Sequence, residues 1–79
     1  MDDITLHTAT LDGERIAYSS ETEFLVQMGR GKGAYETVGI FQGKKALAEA
    51  IFYFRGINIG NGYKKRLLMN DKVLARAFS

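Results

Sequence analysis

Along the first forty residues apolar and polar positions recur with a period of two, the spacing of strands with one buried face. Residues 3 to 11 alternate and carry Thr5, Thr8 and Thr10, which suits a strand. Leu11-Asp12-Gly13-Glu14 reads as a hairpin turn, because Asp-Gly accepts the positive φ that a tight turn requires. A second strand is predicted from Arg15 to Ser19, and a third from Thr22 to Met28 with Phe24, Val26 and Met28 on one face. Gly29, Gly31 and Gly33 make a turn, and Ala34 to Phe41 forms a fourth strand of an antiparallel meander.

The period changes at Gly43. Leu47, Ala50, Ile51 and Phe54 fall at i, i+3, i+4 and i+7, which predicts one helix over about 44 to 55, lying across the sheet and stopping near Gly56. Phe52 does not belong to that stripe; at about 100° per residue it projects about 140° from Leu47. It is expected either to be covered by a terminal loop or strand, or to belong to a partner surface, such as that of a homodimer. A glycine and asparagine loop, Ile57 to Gly62, precedes the basic and apolar segment Tyr63 to Met69. Asn70-Asp71 is a turn and Val73 to Phe78 a closing strand, while the pattern leaves open whether residues 63 to 69 form a strand. The expected fold is α+β: an antiparallel sheet of four to six strands with one helix packed across one face, in a single domain spanning residues 1 to 79.

Seventy-nine residues leave room for one core, and a content of 46% hydrophobic and 25% charged residues is that of an ordinary globular chain. There is no cysteine, and His7 is the only histidine, so a thiolate metal site, a disulfide frame or a histidine-based triad has almost nothing to draw on. No cofactor is expected. No apolar run approaches a membrane span, and Asp2 and Asp3 beside Met1 are unlike a basic leader, so the expectation is a soluble, cytoplasmic protein with no membrane partner.

The net charge of +2 conceals a polarity. Residues 1 to 28 hold six acidic side chains against Arg15 alone, while residues 29 to 79 hold ten Lys or Arg against Glu36, Glu49 and Asp71. Such a dipolar chain draws a polyanion or an acidic protein face to one end, or pairs its own halves across the fold.

Three basic segments are candidate anion sites. In Met28-Gly29-Arg30-Gly31-Lys32-Gly33 the glycines expose backbone N–H groups and Arg30 and Lys32 bring charge for phosphate oxygens; the same segment also reads as a solvated turn. Lys44 and Lys45 start the helix with cations where its dipole favours anions, a mismatch that an external phosphate would relieve, as would Glu21 or Glu23. Lys64, Lys65 and Arg66 follow Tyr63, an aromatic suited to stacking on a sugar or base. The three carboxylates of the basic half are scattered and His7 reads as a strand-face residue, so no enzyme activity is expected.

Met28-Gly29-Arg30-Gly31-Lys32-Gly33, the strand ending in Phe41, the helix through Ala46-Leu47-Ala48-Glu49-Ala50 and the Gly60-Asn61-Gly62-Tyr63 element together resemble the WGR domain over about 70 positions. That module is named for Trp-Gly-Arg and occurs in DNA-dependent poly(ADP-ribose) polymerases and as bacterial proteins. The resemblance implies that Arg30 contacts phosphate, that Met28 stands where the family has its stacking Trp, and that Tyr63 is structural. Gly43-Lys44-Lys45 also departs from the family's polar and acidic helix start. Residues 22 to 56 are similar as well to the arm-binding module of phage integrases, which also binds DNA.

The expected function is that of a small nucleic-acid-binding accessory module, with DNA favoured, that places Arg30, Lys32, Lys44, Lys45, Lys64, Lys65 and Arg66 on phosphates beside Met28. The alternative is a small phage-type inhibitor or adaptor, anti-CRISPR-like, that docks on a host protein complex.

Overall fold

The computed structural model of the chain describes residues 5–79. Six strands and one helix follow in the order β1 (Leu6–Leu11), β2 (Glu14–Ser19), β3 (Phe24–Arg30), β4 (Glu36–Phe41), α1 (Ala46–Gly56), β5 (Tyr63–Met69) and β6 (Lys72–Phe78). The class is α+β, as the change from a period of two to one of 3.6 predicts. The first strand begins at Leu6; Asp3 and Ile4, where the pattern begins it, lie outside the described residues.

The pairing is not one continuous meander. β1 and β2 form an antiparallel hairpin by themselves, and the other four strands form a second antiparallel sheet in the order β4-β3-β5-β6. Asp12 and Gly13 turn the first hairpin with φ of 51° and 82°, the backbone hand that matches strand twist. Residues 42–62 carry α1 over one face of the sheet and return the chain to the free edge of β3. There β5 pairs along its whole length, from Phe24 opposite Met69 to Arg30 opposite Tyr63. The segment 63–69, which the pattern leaves undecided, is thus a central strand, paired on its other side with β6.

Alternation gives this sheet two distinct faces. Phe24 and Val26 of β3 and Leu67 of β5 are fully buried beneath α1, against Ala46, Leu47 and Ala50 of the helix. Ile51 and Phe54 complete the expected helix stripe, half-buried on the same cluster. Burying a side chain of this size contributes about 1.5–3 kcal/mol, and the hairpin adds Leu11, Ile16 and Tyr18 to the same core. Tyr18 meets Phe24 edge to face at 5.0 Å and donates its hydroxyl hydrogen to the Lys44 carbonyl at 2.6 Å, which ties β2 to the helix entrance.

Phe52 is not covered. It remains 83% exposed, because the two terminal strands add to the sheet beneath the helix and do not fold over its outer side. The expectation that a terminal strand or loop shields it is therefore corrected.

Candidate nucleic-acid interface

The alternation that builds the core also sorts the basic residues. Lys65 lies opposite Met28 on the helix side of the sheet, where its ammonium donates to the carbonyls of Phe54 at 2.5 Å and Ile57 at 2.8 Å. These carbonyls lie at the end of α1, where the helix leaves its last carbonyls short of N–H partners; that of Phe54 also accepts the Ile57 N–H, at 3.4 Å. With 8% of its surface exposed, Lys65 closes the helix from below. The expectation that it offers its charge to a phosphate is corrected.

Its neighbours point the other way. Lys64 and Arg66 emerge on the face opposite the helix, and both cover the ring of Tyr35, with Lys64 Nζ at 4.5 Å and the Arg66 guanidinium carbon at 3.8 Å from its centroid. Arg66 Nε donates to Gln27 Oε1 at 2.7 Å, and Gln27 Nε2 donates to the Thr37 hydroxyl at 3.0 Å. Arginine only donates, so the Gln27 oxygen must face it and the amide orientation is determined. Stacked on one side and held at Nε, the guanidinium is fixed, while its two terminal amino groups have no hydrogen-bond partner among the described residues. A fork of that kind suits bidentate binding of a phosphate.

β6 extends the face. Arg76 stands directly opposite Arg66, and Phe78, two-thirds exposed, stands opposite Lys64. Two like charges in register across a strand pair repel. None of Lys64, Arg66 and Arg76 has a carboxylate within ion-pair distance among the described residues; the one ion pair there joins Arg55 to Asp12 at 3.8 Å, well away on the helix side. Every paired position of this face in β3 to β6 is apolar, neutral or basic. Its far end is apolar, with Leu25 opposite Leu68 and Ile40 opposite Leu25.

The remaining predicted residues do not join this face. Arg30 ends β3 on the helix side with its guanidinium 5.6 Å from the Tyr63 ring centroid. Met28, half-buried, lines an open groove of about 420 Å³ together with Arg30, Glu36 and Tyr63. Lys32 is exposed in the glycine turn. The turn does not offer the backbone donors expected of it: Gly31 N–H goes to the Gly62 carbonyl at 2.6 Å and Gly33 N–H to the Arg30 carbonyl at 2.8 Å. What it offers an anion is the side chains of Arg30 and Lys32, with Glu36 alongside. Lys44 and Lys45 are exposed at the start of α1, where Lys45 caps the helix without a side-chain hydrogen bond. They lie near Phe24 and Phe41, at the opposite end of β3 from Arg30, about 20 Å away at roughly 3.3 Å per strand residue.

Of the seven basic candidates, then, the fold brings Lys64 and Arg66 together, leaves Arg30 and Lys32 at one end and Lys44 and Lys45 at the other, and places Lys65 inside. It adds Arg76, Tyr35, Gln27 and Phe78, which the sequence reading passed over. A period-two signal was present, since Lys64 and Arg66 share a face, as do Arg76 and Phe78. That the two faces are the same one depends on the register of β5 against β6. His7 lies on the inner face of the hairpin, its Nε2 hydrogen-bonded with the Ser20 hydroxyl at 2.9 Å. No family model matches the chain, and no curated protein or solved structure does.

Proposed function

We propose that this protein is a nucleic-acid-binding module whose contact surface is the open face of the β4-β3-β5-β6 sheet. One observation carries the reading: Arg66, immobilised by Tyr35 and Gln27, stands in register with a second arginine, Arg76, with no carboxylate among the described residues to neutralise either. The repulsion is relieved by a phosphate between them, and Lys64 supplies a third cation two residues along. Phe78 offers an exposed ring beside these charges, the combination of stacking surface and phosphate contacts by which sheets take up single strands. The resemblance to the WGR domain implies the same ligand class through Arg30 at the end of β3, although Met28 stands in place of the family's stacking Trp.

The test is a fluorescence-anisotropy titration with a labelled single-stranded oligonucleotide and its duplex across a salt series. Three phosphate contacts give a slope of log affinity on log salt of about −2 for a single strand. Replacing Arg76 and Lys64 with Ala is expected to remove about two-thirds of that slope, and replacing Arg30 and Lys32 to leave most of it. Absence of binding to either probe at about 0.15 M salt overturns the reading and favours an adaptor that docks on protein. A slope lost with Arg30 and Lys32 instead moves the contact to the glycine turn.

A further inference from the structure

Lys64 and Arg66 share one aromatic ring. The ammonium of the first and the guanidinium carbon of the second lie 4.5 Å and 3.8 Å from the centroid of Tyr35, so both charges are gathered at one place on the open face. Arg76 joins them from β6, directly across the strand pair from Arg66. Two residues along β6, and opposite Lys64, stands the exposed ring of Phe78. At the other end of the face Leu25, Ile40 and Leu68 carry neither charge nor a hydrogen-bonding side chain, so the cations form a cluster and not a track.

A cluster and a track suit different anions. A strand of nucleic acid spreads its charge along its length, one for each phosphodiester. Three cations collected within two residues of one strand pair are matched more closely by a group with about three negative charges on neighbouring phosphates. A nucleoside diphosphate is such a group: its inner phosphate holds one charge, and its terminal phosphate, like other phosphate monoesters, holds about 1.5 to 2 at pH 7. From this we infer that the Lys64, Arg66 and Arg76 cluster binds the diphosphate of a free nucleoside diphosphate, with its base stacked on Phe78, and that the free nucleotide competes there with a nucleic-acid strand.

The side chains suit that ligand. Arg66, held at Nε by Gln27 and laid over Tyr35, presents its two terminal amino groups to one phosphate as a fixed fork. Arg76 across from it takes the other phosphate, and Lys64 adds a point charge to either. The repulsion between the two arginines is relieved when the diphosphate lies between them. Phe78 follows Arg76 by two residues on the same face, about 7 Å along the strand, which leaves room for a ribose between phosphate and base. No paired position of this face carries a carboxylate, the side chain by which proteins hold a nucleotide's magnesium ion. The ligand is therefore the metal-free diphosphate, for which magnesium competes with the three cations. The inference rests on the nucleic-acid reading only for the choice of face.

Proton–nitrogen correlation spectra of the full chain, titrated with adenosine diphosphate at low salt without magnesium, read affinity and location together. Amide shifts are expected in β5 and β6 around Arg66, Arg76 and Phe78. Adenosine monophosphate is expected to bind about tenfold more weakly, the loss of one charge-assisted hydrogen bond. The dinucleotide ApA, with two bases and a single diester charge, is expected to bind more weakly still. Arg76→Glu is expected to weaken the diphosphate by about tenfold or more while its dispersed spectrum shows it folded. Magnesium in about tenfold excess over the nucleotide is expected to weaken binding by about fivefold or more. No shift up to about 5 mM nucleotide, shifts confined to the glycine turn around Arg30 and Lys32, equal affinity for monophosphate and diphosphate, or binding that magnesium strengthens each overturn the inference. Competition with a labelled single strand separates it from the reading above. A strand that binds and is not displaced by adenosine diphosphate overturns the inference and leaves that reading standing, whereas binding of the nucleotide but not of the strand does the reverse.

Discussion

The ammonium of Lys65 lies 4.6 Å from the centroid of the Phe54 ring and donates to the carbonyl of the same residue. A lysine of the central strand thus closes the last turn of the only helix among the described elements, and sheet and helix are locked by a charge that the sequence presents as part of a surface run. Helix ends need cations or donors at their final carbonyls, and here the cation comes from beneath.

Lys65→Met, which keeps the aliphatic stem and removes the donor, is expected to lower stability by about 1.5–3 kcal/mol, the range for hydrogen bonds to a charged group. For a chain of this size that is a fall in Tm of about 10 °C, measured by a circular-dichroism melt. Oligonucleotide affinity of the folded variant is expected to stay within about twofold of wild type, since Lys65 faces the helix.

Arg76→Glu separates binding from stability. Opposite Arg66 it replaces a repulsive cross-strand pair with an attractive one, so the urea midpoint is expected to rise by the equivalent of about 0.2–1 kcal/mol. Affinity for a single strand is expected to fall and its salt slope to flatten by about one contact. A variant that is less stable and binds as before would count against the arrangement of charges on the open face.

Leu47→Ala and Phe52→Ala differ by a few positions on one helix and are expected to differ widely in cost. Leu47 is fully buried against Phe24 and Val26, and its truncation is expected to cost about 2–5 kcal/mol. Phe52→Ala removes an exposed ring and is expected to stay within about 0.5 kcal/mol of wild type. Urea denaturation at low protein concentration measures both.

Gly29→Ala tests how closely β3 and β5 approach. An added Cβ would lie 2.8 Å from Lys64 Cε and 3.1 Å from the Ala34 carbonyl oxygen. The lysine can swing aside but the carbonyl belongs to the backbone, so a loss of about 1–2 kcal/mol is expected together with displacement of Lys64 from Tyr35. Loss of the Lys64 to Tyr35 ring-current shift in the proton spectrum reads the second effect.

Chelation is expected to leave the thermal midpoint unchanged. No cysteine is available, His7 is engaged with Ser20, and no three carboxylate or imidazole groups gather among the described residues. A fall on adding chelator, reversed by one divalent metal, would overturn this.

The sequence by itself determined what depends on neighbours along the chain. The Asp12-Gly13 turn follows from which residues tolerate positive φ, and the buried side of α1 follows from a spacing of three and four, which holds wherever the helix packs. The period of two in the first strands carried the fold class in the same way. Only the tertiary structure decided what depends on pairings distant in sequence. That β5 enters beside β3 and not β4 was invisible, because antiparallel pairing is compatible with several strand orders and the sequence carries no mark of which edge is filled. The fates of Lys64, Lys65 and Arg66 follow from that choice. Once β5 lies between β3 and β6, alternation sends Lys65 under the helix and turns its two neighbours to the open face, where Tyr35, Gln27 and Arg76 arrive from three other segments.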